Sequence, residues 1–289
     1  QKDRITNTYR RLSGLGPFRG VNISLENTTK TNVIDSLDVT INLIQAKKQL
    51  YSIEGRGTNK GGDLGIYGNF SYINRNTFKG AENLEIILSG GVEAQRLFTD
   101  QNTEINDLGF RNNLAFNTIE FGPEFRLTFA RFLLPVNQEK FSKSLRPSTQ
   151  LTFSLNYQGR PDFERVVTST SMAYAWNQNK KTRHIVTPIE ISVINIEKST
   201  AFQQRLDQLN NPLLTNSYSN HFIVDTRYTN VYTNRESTAQ KLSFYNRFNI
   251  ESAGNSWFLF SQLMNNNVNE QGSYEVSGIQ FAHYIKADS

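Results

Sequence analysis

The sequence predicts an all-β protein, a transmembrane antiparallel β-barrel, from three observations. Along most of the chain, segments of about ten residues alternate apolar and polar side chains, which is typical of membrane-crossing strands. The polar half of many segments includes carboxylates and guanidinium groups, which a soluble core would desolvate at high cost. Residues 51–95 form three such segments in succession, divided by turns rich in Gly and Asn. This repeated pattern predicts a meandering sheet with one face in lipid and the other in water.

Composition excludes several other classes of protein. The chain has 289 residues, 37% hydrophobic and 12% aromatic, and no apolar run reaches the ~18 residues of a transmembrane helix. The mean hydropathy of −0.52 is compatible with a barrel, because only every second strand residue faces lipid. The absence of cysteine excludes disulfides and thiolate zinc sites. The net charge of +5 is spread along the chain without a Lys/Arg block, so no nucleic-acid partner is predicted.

The first fifty residues predict part of a separate small domain. The spacing of Ile5, Tyr9 and Leu12 predicts a helix over residues 2–15. Two alternating segments, residues 18–25 and 37–44, are predicted as strands, with a polar turn between them. One helix and two strands cannot close a good core alone. Residues 1–50 are therefore predicted to be the C-terminal part of an α/β domain, and residues 51–289 the N-terminal portion of the barrel. Because the chain begins with Gln1 and ends at Ser289 within a strand-like pattern, we expect a fragment of a longer protein.

The barrel is predicted to begin with the three segments of residues 51–95. In the third, the apolar set is Leu84, Ile86, Leu88, Val92 and Ala94, and the polar set is Glu85, Ser89, Glu93 and Gln95. The glycines between Gly55 and Gly68 match neither common nucleotide-binding pattern, since Lys60 stands where the third glycine of G-x-G-x-x-G is needed. They are interpreted as glycines of a hairpin turn.

The clearest alternation lies in residues 116–132. Its apolar set is Ile119, Phe121, Phe125, Leu127 and Phe129, and its polar set is Thr118, Glu120, Glu124, Arg126 and Thr128. The pattern recurs in three later segments. In the first, the apolar set is Leu151, Phe153, Leu155 and Tyr157. In the second, Ile185, Ile189, Ile191 and Val193 alternate with His184, Glu190 and Ser192, and in the third, Phe222, Val224 and Tyr228 alternate with Asp225, Arg227 and Thr229. Residues 166–176 and 276–285 are less regular but still strand-like. We expect about ten strands of this kind.

Two further features bear on orientation. Residues 200–209 place Phe202, Leu206 and Leu209 at helical spacing, which predicts a helix in a long extracellular loop. Aromatic residues at strand ends suit an interfacial girdle: Tyr72, Phe132, Tyr157, Trp176 and Tyr232.

A soluble antiparallel sandwich remains the alternative fold, but its strands are usually shorter and the inner face of each sheet would be aliphatic.

The order of these segments resembles the outer-membrane assembly superfamily of BamA and TamA, especially its Bacteroidetes-type members. In that family the last polypeptide-transport-associated (POTRA) domain leads into a barrel of sixteen strands, and residues 18–50 are similar to the end of that domain. The match includes the first barrel strand from Tyr51 and three later segments: residues 76–82, 211–218 and 251–255. The resemblance implies about the first ten of sixteen strands. It also implies that the family's inward loop and closing strand lie beyond Ser289.

The resemblance implies insertion of other β-barrels into the bacterial outer membrane, or protein translocation across it, through a lateral gate at the first barrel strand. The gate residues expected to bind a substrate strand are Tyr51, Ser52, Ile53, Glu54, Gly55, Arg56 and Gly57. A short, polar strand with two glycines predicts weak pairing, so that a substrate strand can add to the exposed edge. Expected partners are the lipid bilayer, unfolded outer-membrane proteins, and periplasmic or lipoprotein accessory subunits.

Other functions are weighed against this one. A passive channel or surface-binding barrel would need no preceding domain of the kind predicted in residues 1–50. An outer-membrane hydrolase would draw on His184, His221 or His283, but none lies in a nucleophile motif. Glu85 with Glu93, and Glu120 with Glu124, are expected on the wall of any wet lumen. No catalytic residue, cofactor or metal site is therefore predicted, and an ordinary strand bend remains the alternative interpretation of Glu54 and Gly55.

Overall fold

Antiparallel strands make up most of the protein. The computed structural model describes residues 2–28, 36–60, 63–95, 116–134, 145–234, 243–254, 275–276, 279–281 and 284–288. Helix α1 (Lys2–Ser13) precedes a two-stranded sheet of β1 (Phe18–Thr28) and β2 (Ser36–Gln45). The long strands that follow are β3 (Gln49–Lys60), β4 (Asp63–Arg75), β5 (Asn83–Ala94), β6 (Thr118–Phe129), β7 (Ser148–Gly159), β8 (Phe163–Asn177), β9 (Thr182–Lys198), β10 (His221–Thr233) and β11 (Tyr245–Ala253). The all-β prediction is confirmed.

These strands form one meandering sheet. Each strand from β3 to β11 pairs antiparallel with its neighbours in the chain, and every one is nine or more residues long. That length suffices for a tilted strand to cross a bilayer. In the part of the chain that the structure describes, the sheet is open, and β3 is its first strand. Of the helices described, none combines the length and apolar character that a membrane crossing needs.

The prediction of one strand over residues 276–285 is wrong. Three short strands lie there instead: β12 (Glu275–Val276), β13 (Ile279–Phe281) and β14 (Tyr284–Asp288). β14 pairs antiparallel with β11 and so continues the order of the sheet. β13 instead pairs in parallel with His221 and Phe222 of β10. These two residues precede Asp225, where the pairing of β10 with β11 begins. The irregular alternation of this segment agrees with its division between two neighbours.

The two faces of the sheet have an inverted pattern of burial. On one face, called the apolar face, large side chains are exposed: Ile53, Ile66, Ile119, Phe121, Phe125, Phe153, Ile189, Ile250 and Ile285. On the other, called the polar face, several polar side chains are buried: Glu93, Thr118, Gln158, Asp225 and Thr229. Ile53 is 83% exposed, whereas Glu93 is 1% exposed. A soluble sheet would bury the apolar face, so this sheet has the polarity of a membrane barrel wall.

A bulge in β9 reverses the predicted face of one histidine. The register between β9 and β10 shifts between Asp225 and Arg227, across Thr187 and Pro188. Since proline lacks the N–H that a ladder hydrogen bond needs, it favours such an interruption. His184 therefore lies opposite Asn230, on the apolar face with Ile191, and Ile185 lies opposite Thr229 on the polar face. The strict alternation predicted for Ile185 and His184 is wrong for this reason.

The predicted helix over residues 200–209 is confirmed as α2 (Thr200–Leu209), and a second, unpredicted helix follows as α3 (Pro212–Ser217). Ser199 and Asn211 accept hydrogen bonds from the first N–H groups of the two helices and so begin them. Phe202 and Leu206 are buried against Phe163 in a small cluster. The helices thus cover the end of the sheet where β7, β9 and β11 finish.

The sheet has two distinct ends. We call proximal the end where β2 leads into β3 and where β4, β6, β8 and β10 finish, and distal the opposite end with α2 and α3. The N-terminal segment contacts the proximal end, where Arg146 donates a hydrogen bond to the carbonyl of Arg10 at 3.2 Å. Gly16 lies beside the Arg75 side chain. The division between residues 1–50 and 51–289 stays a prediction.

Candidate functional site

The predicted gate residues lie on β3, the first strand of the sheet. β3 pairs with β4 over its whole length, from Gln49 opposite Asn74 to Lys60 opposite Asp63. No second strand pairs with β3 among the described residues. All residues from Tyr51 to Gly57 are exposed. One edge of this strand therefore has backbone N–H and C=O groups available to another strand.

The seven predicted residues do not converge on one point. Tyr51, Ile53, Gly55 and Gly57 lie on the apolar face, and Ser52, Glu54 and Arg56 lie on the polar face. A strand added at this edge would therefore meet the backbone along its length and alternate side chains on either side. The arrangement suits recognition through main-chain hydrogen bonds, with little demand on the substrate sequence.

Few side-chain contacts hold β3 to β4. The ring of Tyr51 packs on those of Tyr72 and Phe70, with centroids 5.1 and 6.3 Å apart. Gln49 donates a hydrogen bond to the Tyr72 hydroxyl at 3.0 Å, and the Arg56 guanidinium lies 5.7 Å from the ring centre of Tyr67. Within the described chain, no salt bridge involves a side chain of β3. Its attachment depends on the backbone ladder and a few rings.

Glycines on the two faces have different surroundings. A Cβ placed on Gly55 would meet no atom within 4 Å, and one on Gly68, its partner in β4, would only touch a backbone oxygen at 3.9 Å. On the polar face, by contrast, a Cβ on Gly91 would lie 2.4 Å from the Tyr67 ring and 2.7 Å from the Ile66 carbonyl. Packing therefore requires Gly91 but not Gly55.

Tyr67 links two carboxylates on the polar face beside β3. Its hydroxyl donates to Glu120 at 2.9 Å and lies 3.5 Å from a Glu93 oxygen. Gln95 and Gln158 donate to Glu93 and Glu120 at 2.6 and 2.5 Å. This network joins β4, β5, β6 and β7 one strand inward from the gate.

Two arginines make ion clusters farther along the polar face. Arg126 of β6 pairs with Glu85 of β5 at 2.6 Å and with Glu124 on its own strand. Arg227 of β10 pairs with Glu190, Glu251 and Asp225 at 3.1, 3.1 and 3.6 Å, and so joins β9, β10 and β11.

Sequence alternation placed these charges on the predicted wet face but did not identify the pairs. Which carboxylates meet one arginine depends on strand register, which the sequence does not reveal. In the structure, Glu120 is grouped with Glu93 through Tyr67, and Glu124 with Glu85 through Arg126.

The histidines do not form a hydrolytic site in the described chain. His184 lies between Trp176 and Tyr228, with its Nδ1 2.8 Å from the Tyr228 hydroxyl. His221 begins β10 and bonds the Asn216 carbonyl and Ser219 near α3. His283 lies outside the described residues. Among the residues described, no group of three His, Asp or Glu side chains is arranged to hold a metal ion.

The turn between β4 and β5 is tightly organised. Glu82 is buried, and its carboxylate accepts hydrogen bonds from the N–H groups of Gly80 and Phe78 at 2.9 and 3.2 Å. Burial alone would raise the pKa of the Glu82 carboxyl, but hydrogen bonds from the N–H groups of Glu82 itself, Gly80 and Phe78, together with the Arg131 charge, lower it. Lys79 and Ala81 have φ values of 69° and 64°, which is the left-handed region that L-residues avoid.

Comparison with known proteins gives structural likenesses but no match in sequence. No family model matches the sequence, and no curated protein matches it. The fold is similar to that of BamA from Haemophilus ducreyi lacking POTRA domains 1-3, with a TM-score of 0.48 and 11% sequence identity. The alignment covers 87% of this chain and 42% of that one, so this chain spans less than half its length. The Bacteroidetes-type and POTRA assignments stay predictions.

Proposed function

We propose that this chain is part of a bacterial outer-membrane β-barrel that helps other outer-membrane proteins to insert or cross, with β3 as its lateral gate. The observation that carries the proposal is the edge of β3, where residues 51–57 are exposed and paired on one side only within the described chain. The proposal includes no catalytic residue, metal or cofactor.

The membrane placement is supported by the inverted burial of the two faces. Exposed Ile, Leu and Phe side chains on the apolar face would be costly in water and favourable in lipid. The charged polar face would then line a water-filled interior, where partly exposed ion clusters are solvated. On this placement the bilayer is the first partner of the chain.

The gate mechanism follows from backbone chemistry in lipid. Each unpaired N–H or C=O group in the hydrocarbon region costs several kcal/mol, so an unfolded substrate strand gains most by pairing with an open edge. β3 offers such an edge. Few side-chain contacts hold β3 to β4. The substrate strand would pair with β3, fold into a hairpin, and leave as its own sheet closes. Unfolded outer-membrane proteins are the proposed substrates, and accessory periplasmic or lipoprotein subunits are further proposed partners.

Site-specific photocrosslinking would test the proposal. A photoreactive phenylalanine analogue would replace Ile53 or Glu54 at the edge, or Phe125 on the apolar face of β6 as the matched control. Each variant would be reconstituted in vesicles and given a small unfolded outer-membrane barrel diluted from urea. We expect adducts from Ile53 and Glu54 but not from Phe125, and faster substrate folding than in empty vesicles, as judged by its gel mobility without heating.

Two results would contradict the gate. Equal adducts from Ile53 and Phe125 would show that substrate meets the apolar face at random. Ion conductance across a planar bilayer with no effect on substrate folding would indicate a passive channel instead.

A further inference from the structure

The connections at the two ends of the sheet differ sharply in charge. Counted with the two strand residues on each side, the described proximal connections contain nine basic residues and one acidic residue, Glu82. The basic residues are Lys47, Lys48, Arg75, Lys79, Arg131, Arg146, Lys180, Lys181 and Arg183. The described distal connections contain four basic and six acidic residues: Lys60, Arg160, Lys198 and Arg205, and Asp63, Glu93, Asp162, Glu164, Glu197 and Asp207. Among the described connections, the excess of positive charge is thus at the proximal end.

Most of the proximal cations have no carboxylate partner among the described residues; Arg131, whose charge acts on Glu82, is the exception. Among the described residues, none of the nine belongs to a salt bridge, whereas Arg126 and Arg227 inside the sheet have two and three carboxylate partners. A concentration of unpaired cations attracts an anionic surface.

An aromatic ladder lies directly beside the most basic connection. On the apolar face, the rings of Trp176, His184 and Tyr228 stack across β8, β9 and β10, with successive centroids 5.3 and 6.1 Å apart. Phe132 packs edge-on against Trp176 at 6.2 Å. Aromatic rings with polar atoms favour the depth at which a bilayer changes from acyl chains to headgroups.

Hydrogen bonds join this ladder to the β8–β9 turn, which carries Lys180 and Lys181. The β8–β9 turn is fixed by Asn179, whose side chain accepts from the N–H groups of Lys181 and Thr182 at 2.8 Å each. His184 bonds the Gln178 side chain at 3.0 Å, two residues from Lys180. Lys180 and Lys181 therefore lie in the turn just beyond the ring ladder, at the level that headgroup phosphates would occupy. Arg183, next to His184 on β9, lies on the polar face.

We propose that Trp176, His184 and Tyr228 with Lys180 and Lys181 form a binding surface for anionic phospholipid headgroups in the leaflet at the proximal end. The rings contact the upper acyl chains and the two lysines contact the phosphates. This inference rests on the proposed membrane placement but not on the gate. It gives the barrel a preferred lipid on the side from which α1, β1 and β2 extend.

Tryptophan quenching by brominated lipids would measure this preference. The chain has two tryptophans, so Trp257→Phe leaves Trp176 as the single reporter. The variant would be reconstituted in vesicles containing brominated phosphatidylglycerol or brominated phosphatidylcholine. We expect both lipids to quench Trp176. At low salt, the association constant of the anionic lipid relative to phosphatidylcholine should be about three or more, because one surface cation can raise the affinity for an anionic lipid up to about five-fold. The ratio should fall toward one in 0.5 M salt, at a Debye length of about 4 Å.

Charge removal supplies the matched control. Lys180→Gln and Lys181→Gln together should bring the ratio close to one. Lys198→Gln and Arg205→Gln remove two cations from the distal end and should leave it unchanged. Gel mobility without heating would verify that each variant is folded.

Each outcome separates this inference from the membrane placement. No quenching by either lipid would overturn the placement itself and the inference with it. Equal quenching by the two lipids, or equal loss of preference in the proximal and distal variants, would overturn the lipid site alone. Binding of polyglutamate in place of anionic lipid would assign the basic end to an acidic polypeptide and also overturn it.

Discussion

The first strand and the middle of the sheet are held by different interactions. In the middle, Arg227 ties β9, β10 and β11 together through three carboxylates. At the edge, β3 pairs with β4 along its whole length, but no salt bridge of the described chain involves a β3 side chain, and ring contacts and a hydrogen bond from Gln49 supplement the ladder. If β3 is the proposed gate, cross-strand ion clusters, rather than the ladder alone, would distinguish the wall from the strand that parts.

Removing the central arginine should have the largest effect. Arg227→Gln would leave Glu190, Glu251 and Asp225 close together without a counter-charge. A lost partner costs 3–5 kcal/mol in a buried pair, but a third of this side chain is exposed, so we expect a loss of about 2 kcal/mol. The matched edge variant, Arg56→Gln, loses an exposed cation–π contact and should cost only about 0.5 kcal/mol.

Urea unfolding in lipid vesicles would measure both variants. Adding Glu190→Gln and Glu251→Gln to Arg227→Gln should recover part of the loss, because the repulsion is then removed. Equal destabilisation by Arg56→Gln and Arg227→Gln would refute the contrast between edge and interior.

The same glycine substitution should have opposite effects in the two regions. Gly91→Ala places a methyl group against the Tyr67 ring and a backbone carbonyl, and we expect a loss of about 1–3 kcal/mol from overpacking. Gly55→Ala meets no atom within 4 Å and should stabilise the paired edge by about 0.5 kcal/mol through reduced freedom of the unfolded chain. If β3 is the gate, Gly55→Ala should also slow substrate folding in the vesicle assay. A destabilised Gly55→Ala would show that the edge has packing demands like those of the interior.

The turn between β4 and β5 is the boundary between the two regions, and it is strained. Ala81 has a φ of 64°, where glycine has no steric penalty. Ala81→Gly should therefore stabilise the protein by about 1 kcal/mol, whereas Ala173→Gly, inside β8, should destabilise it by about 0.5–1 kcal/mol. Opposite shifts in the urea midpoint would confirm the strain, and a loss of stability in both variants would contradict it.

Sequence patterning predicted the elements of the fold but not how they combine. Alternation located the long strands and the helix at Thr200–Leu209, because a period of two or 3.6 is visible in single segments. It failed at Pro188, where one bulge moves His184 to the other face, and at residues 276–285, where the segment is divided between two neighbours.

The site was predicted to a similar extent. The family resemblance, with the glycine content and polarity, marked residues 51–57, and they lie on the first strand of the described sheet, but their role as a gate stays a prediction. The ion clusters of Arg126 and Arg227 required register, and the aromatic ladder required the bulge, so no local pattern could have revealed either.

The smallest predicted effect concerns pH at the same boundary turn. The folded pKa of Glu82 lies below its ordinary value near 4.5, so ionised Glu82 stabilises the fold above that pH. This contribution is lost as the pH falls from about the ordinary value through the lowered folded pKa. Glu82→Gln can still accept the N–H groups of Gly80 and Phe78, but without charge.

The two proteins should therefore differ most in urea midpoint at pH 7 and converge toward pH 3. Glu124→Gln, which removes one of two carboxylates from Arg126, provides a carboxylate control in the interior of the sheet. If the boundary turn holds β4 to the interior, low pH should weaken the turn and loosen the β3–β4 hairpin as a unit. The rate of amide hydrogen exchange should then rise in β4 together with that in β3. Exchange that rises in β3 alone would place the boundary one strand earlier, between β3 and β4, and would make the gate a single strand.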